Sequence, residues 1–296
     1  MPLHRLSVAP LYTASFGMRM FTHAVGALNP PSERRKRERR ERRTDDEGLP
    51  WSSRGRYGGV GGHEWFDTDP GASRTPVVFV HGNGRTHADW SDHADALLEE
   101  GFAGDELWAI TFAHPNSTHR EMSDQLDEFV RNVRKYTGSD AVSVVAHSLG
   151  VTGVRFWLER RNRYEWVDTV VSIAGANHGV SVCSGEEDPG TLGEYARPSR
   201  FVGYRYRERP NHPLKRLNAG TETPGDVTYY TIRGAYDHYY WRDPASPKLD
   251  GAAENVLLWT NHIGTLRSAR TRALLAEWLR EEPDDGAADG SGRTAA

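Results

Sequence analysis

Apolar residues in this chain fall into short unbroken runs, separated by stretches in which they recur every three or four positions. Val77–Val80, Leu107–Phe112, Val142–Ala146, Val167–Ile173, Val227–Arg233 and Asn255–Trp259 are short runs rich in β-branched and aromatic side chains. Such runs predict strands buried on both faces of a sheet. Between them, Ala94, Leu97 and Leu98 predict a helix that Gly101 stops. Met122, Leu126, Phe129, Val130 and Val133 predict a longer helix closed by Gly138. Gly150–Arg160 and Thr265–Leu279 read as two further helices. Strands alternating with helices predict right-handed crossovers, and so a mostly parallel sheet with helices on both faces.

The pattern also divides the chain. Order begins near Thr75 and runs to about residue 280, broken by the irregular, Gly/Pro/Arg-rich segment 180–226. A connection of that length inside a compact domain is expected to carry function or small elements of its own, so it reads as a cap-like insertion before the strand Val227–Arg233. Residues 1–47 read as a disordered tail, 48–74 as a linker or loop, and 281–296 as a disordered acidic end. Gly58–Gly62 follows no predicted strand, which argues against a phosphate-binding loop.

Charge and composition exclude several classes. The 41 acids and 37 bases leave a formal net charge of -4, which points to no polyanionic partner for the whole molecule. The run Glu33–Arg43 is almost wholly charged, but Glu33, Glu38 and Glu41 dilute it. It reads as a solvated tail rather than an arm for nucleic acid or an anionic membrane surface. Cys183 is the single cysteine, so no intrachain disulfide forms. No stretch approaches the roughly 20 apolar residues of a membrane span. The arginine run follows the mildly apolar stretch Leu3–Leu28, the reverse of a secretory signal. A cytoplasmic location is the expectation, with secretion as the alternative. No Cys/His ligand spacing occurs, and no cofactor is expected.

The candidate chemistry lies where strands end. In open parallel sheets, sites gather at the carboxyl ends of the strands. His81, Ser148, Gly175 and Asp237 each come just after a predicted strand. Ala146-His147-Ser148-Leu149-Gly150 joins a strand to a helix with a serine between small residues, the pattern of a sharp turn that exposes a nucleophilic hydroxyl. A serine needs a base, and the base needs an acid to hold its tautomer. In this type of turn the order along the chain is Ser, acid, His. Asp237 follows Val227–Arg233 closely, whereas Asp243 and Asp250 lie deeper in a Pro-rich loop. His262 follows Asn255–Trp259 and is the last histidine in the chain. His238 is adjacent to the acid, from which its side chain would diverge, and His147 reads as packing. The oxyanion of a tetrahedral intermediate needs two N–H donors. Leu149 after the serine and Asn83 in the loop His81–Gly84 are placed to offer them, with His81 bonding inside that loop.

Val77–Gly84, Ala146–Gly150, Gly175-Ala176-Asn177, the Asp237 loop and Asn261–Gly264 together resemble the class 2 bacterial lipases. Val80–Gly84 and Ala146–Val151 are also similar to related polyhydroxyalkanoate depolymerases. The resemblance spans Thr75 to Leu279. It implies the α/β-hydrolase fold, an ester or lipid substrate, Ser148 as nucleophile, Asp237 as acid and His262 as base. It also implies the amides of Asn83 and Leu149 as the oxyanion hole. The chain departs from the family in the long segment 180–226, where the small lipases have a short connection. Tyr229, Tyr236, Tyr239, Tyr240 and Trp241 add aromatic surface near the acid, for an acyl site or for the core.

The expectation is therefore a serine carboxylic ester hydrolase working through an acyl-enzyme. The alternatives are a polyester depolymerase, an acyltransferase using the same residues, and a non-catalytic binding module on the same fold. Acyl chain length and oligomeric state are not legible.

Overall fold

The structure, a computed structural model, describes residues 49–51, 53–114, 117–180, 201–202, 213–241 and 243–280. The tail 1–47 with its charged run, Cys183 with most of segment 180–226, and the end 281–296 lie outside the described residues.

Among the described residues, seven strands form one sheet: β1 (Tyr57–Gly61), β2 (Val77–Val80), β3 (Leu107–Phe112), β4 (Val142–His147), β5 (Val167–Ile173), β6 (Thr228–Gly234) and β7 (Glu254–Leu258). Their order across the sheet is β1-β3-β2-β4-β5-β6-β7. From β3 to β7 all neighbours are parallel, and only β1 is antiparallel. The helices are α1 (His63–Phe66), α2 (Ser91–Glu99), α3 (His119–Thr137), α4 (Leu149–Arg161), α5 (Pro213–Leu217), α6 (His262–Arg267) and α7 (Ala269–Trp278). This is the mostly parallel sheet expected from the alternating pattern, in keeping with the α/β-hydrolase fold that the resemblance implies.

The unbroken apolar runs are explained by burial on two faces. Val78 and Val80 of β2 share a core with Leu126, Phe129 and Val130 of α3 and Val151 and Val154 of α4. Val77 and Phe79 face the other side, toward Ala94 and Leu97 of α2 and Leu274 and Leu275 of α7. Each such side chain, fully buried, contributes roughly 1.5–3 kcal/mol. The long helix α3 starts on a capping box. The Thr118 hydroxyl accepts from the Glu121 N–H, and the Glu121 carboxylate accepts from the Thr118 N–H. It ends on Gly138 at φ 75.

Two expectations need correction. The segment 48–74 is not simply a linker, because Tyr57–Gly61 is a buried strand on the edge of the sheet, paired with β3. Its glycines hid it. A Cβ on Gly59 would sit 1.9 Å from the Ala109 carbonyl oxygen and 2.9 Å from the Trp51 ring, and one on Gly61 would sit 2.5 Å from the Trp108 ring. Glycine is needed there for close approach, against its ordinary strand propensity. The final helix is also two helices. Ser268 is extended (φ -63, ψ 136) and its hydroxyl accepts from the Arg270 N–H, which ends α6 and starts α7. Among the described residues, no helix is long and apolar enough to cross a membrane.

Candidate active site

The site is built where β4 turns into α4. Ser148 sits between them at φ 54, ψ -121, a conformation that costs a non-glycine residue about 1–3 kcal/mol. Its N–H donates to the Ile173 carbonyl at 2.9 Å, and its own carbonyl accepts from Val151 N–H at 3.2 Å. The serine hydroxyl does not cap the helix it precedes. It lies instead within reach of the His262 ring.

Small residues make this turn possible. A Cβ on Gly150 would lie 2.6 Å from the His81 carbonyl oxygen, and one on Gly82 would lie 3.0 Å from the Ser148 Cβ. The loop after β2 therefore presses directly on the turn. His81 fixes that loop: its Nε2 accepts from the Phe112 N–H at 3.1 Å, which leaves Nδ1 to donate to the Gly82 carbonyl at 2.8 Å. His81 thus bonds within and behind the loop, as the sequence suggested.

Asp237 and His262 reach Ser148 from the carboxyl ends of β6 and β7. Asp237 is the N-cap of a short turn, and its Oδ1 accepts from the Tyr239 N–H at 3.0 Å. Its Oδ2 lies 2.6 Å from His262 Nδ1. His262 opens α6, whose N-cap Asn261 accepts from Gly264 N–H at 2.7 Å. His262 Nε2 lies 2.9 Å from Ser148 Oγ. Asp237 is 1% exposed and His262 5%, so the carboxylate–imidazole contact is shielded from water. A carboxylate on Nδ1 selects the tautomer with its proton there, which leaves Nε2 as acceptor for the serine hydroxyl.

Asn83 and Leu149 line the same cleft as Ser148 and His262, together with Gly82, Arg85 and His147. The cleft has a volume of about 700 Å³, part of it open to solvent. Its apolar side is made by Ala176, Val180, Val202, Tyr239, Tyr240 and Ile263. Val180 and Val202 were not recognisable in advance: one opens a segment without period and the other lies within it, joined by a Val180 N–H to Val202 carbonyl bond of 2.9 Å. Arg85 was also missed. It lines the cleft while paired with Asp89 one turn on.

The structure separates the expected aromatics. Tyr239 and Tyr240 line the cleft, and the Tyr240 hydroxyl donates to the Ala174 carbonyl. Tyr229 belongs to the core, with its hydroxyl donating to the Pro224 carbonyl, and burial pushes that hydroxyl well above its ordinary pKa. Trp241 is 47% exposed. The rejected acid candidates lie elsewhere. Asp243 and Asp250 border a different depression with His178 and Glu222, and the His238 ring centre is 6.4 Å from that of His262. His147 is buried beside His262, ring centres 4.9 Å apart, and burial holds its pKa well below the usual histidine range.

Residues 74–197, which contain the loop after β2, the serine turn and the stretch after β5, match the class 2 lipase family. That stretch, under half of the chain, is therefore similar to the class 2 lipases. Solved structures agree on the fold. The mature form of the Bacillus licheniformis lipase BlEst2 superposes with a TM-score of 0.51 at 19% identity, over 72% of this chain and 94% of that one. Aspergillus fumigatus lipase B superposes with a TM-score of 0.51 at 15% identity, over 70% of this chain. The chain spans only about half of that second lipase, 52%.

Proposed function

We propose that this class 2 relative is a serine carboxylic ester hydrolase that works through an acyl-enzyme. One observation carries the reading: the run Asp237 Oδ2, His262, Ser148 Oγ, with contacts of 2.6 and 2.9 Å, opens into a cleft with an apolar side.

The chemistry follows from the protonation states. Ser148 Oγ attacks the ester carbonyl carbon as its proton passes to His262 Nε2. The buried Asp237 carboxylate stabilises the imidazolium that forms and keeps the ring oriented. The tetrahedral oxyanion takes the backbone N–H groups of Leu149 and Asn83, each such donor contributing about 3 kcal/mol to the barrier reduction. His262 then gives its proton from Nε2 to the leaving alkoxide, and the acyl–Ser148 ester remains. Water, deprotonated by His262, attacks that ester, and the carboxylic acid leaves as Ser148 regains its proton.

The apolar side formed by Val180, Val202, Tyr239 and Ile263 suits an acyl chain. A binding module without turnover does not require a histidine held between a buried carboxylate and a strained serine hydroxyl, so that reading is set aside. The direct test is hydrolysis of p-nitrophenyl butyrate by the parent and by Ser148→Ala at equal fold content. Appreciable residual turnover in the variant removes Ser148 from the mechanism.

A further inference from the structure

Arg155 lies on α4, the helix that begins after Ser148, and only 4% of it is exposed. Its guanidinium bonds to neutral acceptors. Nη1 donates to Asn177 Oδ1 at 3.2 Å, and Nη2 faces the Leu217 carbonyl at 3.0 Å, Asn218 Oδ1 at 3.0 Å and the Glu222 carbonyl at 3.1 Å. Burial lowers its pKa to about 10, which leaves it a cation at neutral pH. A buried cation whose hydrogen bonds all go to neutral acceptors is costly, and the nearby Glu222 charge offsets only part of that cost.

The partners of Arg155 are tied to each other. Asn218 Nδ2 donates to the Asn177 carbonyl at 3.0 Å, and Asn177 Nδ2 donates to the Pro247 carbonyl at 3.0 Å. The next residue, His178, places Nε2 at 2.6 Å from Glu222 Oε1 and Nδ1 at 3.0 Å from the Ser246 carbonyl. Glu222 Oε2 accepts from the Asp250 N–H at 2.7 Å. One buried guanidinium therefore ties the serine's helix to Asn177 after β5 and to residues 217–222 before β6, and Asn177 and Glu222 carry the tie on to the loop before β7. Two residues past His178 stands Val180, bonded to Val202, and both form the cleft wall.

We infer that Arg155 is a positioning residue for substrate selection. Through Asn177, Asn218 and the His178–Glu222 contact it fixes the Val180–Val202 wall relative to Ser148, and so decides the acyl chain length that the cleft accepts. This rests on the ester-hydrolase reading above. A short acyl group needs only the oxyanion donors and the carbons next to Ser148. A long one needs the wall, and each methylene that loses contact with it weakens binding by roughly fourfold.

The experiment compares the full chain with Arg155→Lys and Asn218→Ala on p-nitrophenyl butyrate and p-nitrophenyl palmitate, reading kcat and KM separately. Lysine keeps the charge but lacks the planar fork. Asn218 is half-buried, so its loss tests the same brace with little risk to folding. The rate of labelling by a small fluorophosphonate and the urea midpoint are read alongside. Palmitate kcat/KM is expected to fall by about tenfold or more, chiefly through KM, while butyrate kcat and labelling stay within about twofold. Equal losses on both esters identify a purely structural role and overturn the inference, as does an unchanged palmitate-to-butyrate ratio in both variants. A parent that hydrolyses neither ester and takes no label overturns the ester-hydrolase reading and the inference with it. A parent active on both, with an unchanged ratio in the variants, overturns the inference alone.

Discussion

Gly150 stands so close to His81 that a single added carbon would lie 2.6 Å from the His81 carbonyl oxygen. The first turn of α4 and the loop that carries Asn83 are thus packed backbone to backbone. Ala is ordinarily the better helix former by about 1 kcal/mol. Here Gly150→Ala is expected to destabilise the protein by about 1–3 kcal/mol through overpacking, and to lower butyrate kcat by displacing the Asn83 loop. Urea unfolding with a parallel esterase assay checks this. A variant as stable and as active as the parent would show that the contact is slack.

The acid assignment separates Asp237 from its neighbours in sequence. Asp237→Asn removes the carboxylate 2.6 Å from His262 Nδ1 and favours the wrong tautomer. Its kcat is expected to fall by about 10³–10⁴, as in other enzymes with this arrangement. Asp243→Asn, which alters a different depression, is expected to stay near the parent. Steady-state kinetics of the two variants side by side decide it, and the reverse order would move the acid to Asp243.

Acid sensitivity has an identifiable source in His93. It is buried against Trp90, and its Nε2 donates to the Leu266 carbonyl at the far end of the helix that starts with His262. Burial, aided by Arg272, lowers its pKa from 6.5 to about 4. The unfolded chain takes up a proton on this residue below pH 6.5, and the folded chain does so only near pH 4. Its contribution is therefore complete above pH 6.5 and is lost as pH falls toward 4, a total of about 3 kcal/mol. Urea midpoints between pH 7 and 4.5 are expected to drop less steeply in His93→Gln, whose amide still donates to Leu266. Identical slopes would remove His93 as the cause.

Much of this fold is legible in the sequence because a strand covered on both faces must be apolar throughout. Val142–Ala146 announces itself for that reason, and the positions just after such strands locate Ser148, Asp237 and His262. The strand Tyr57–Gly61 is hidden because close approach beneath Trp51 and Trp108 demands glycine, which reads as loop. The cleft wall is hidden because Val180 and Val202 meet only in three dimensions. Arg155 is hidden because an arginine on a helix ordinarily reads as a solvated charge, and nothing local signals that amide and carbonyl oxygens far along the chain surround it.

The central claim is that the hydroxyl of Ser148 is the group activated by His262. The most direct measurement is mass-spectrometric mapping of the adduct left by a fluorophosphonate on the parent protein. The account predicts a single phosphonylated residue, Ser148, and no label on Ser148→Ala or after acid unfolding. A label on another residue, or an unlabelled parent that still hydrolyses p-nitrophenyl butyrate, would contradict it.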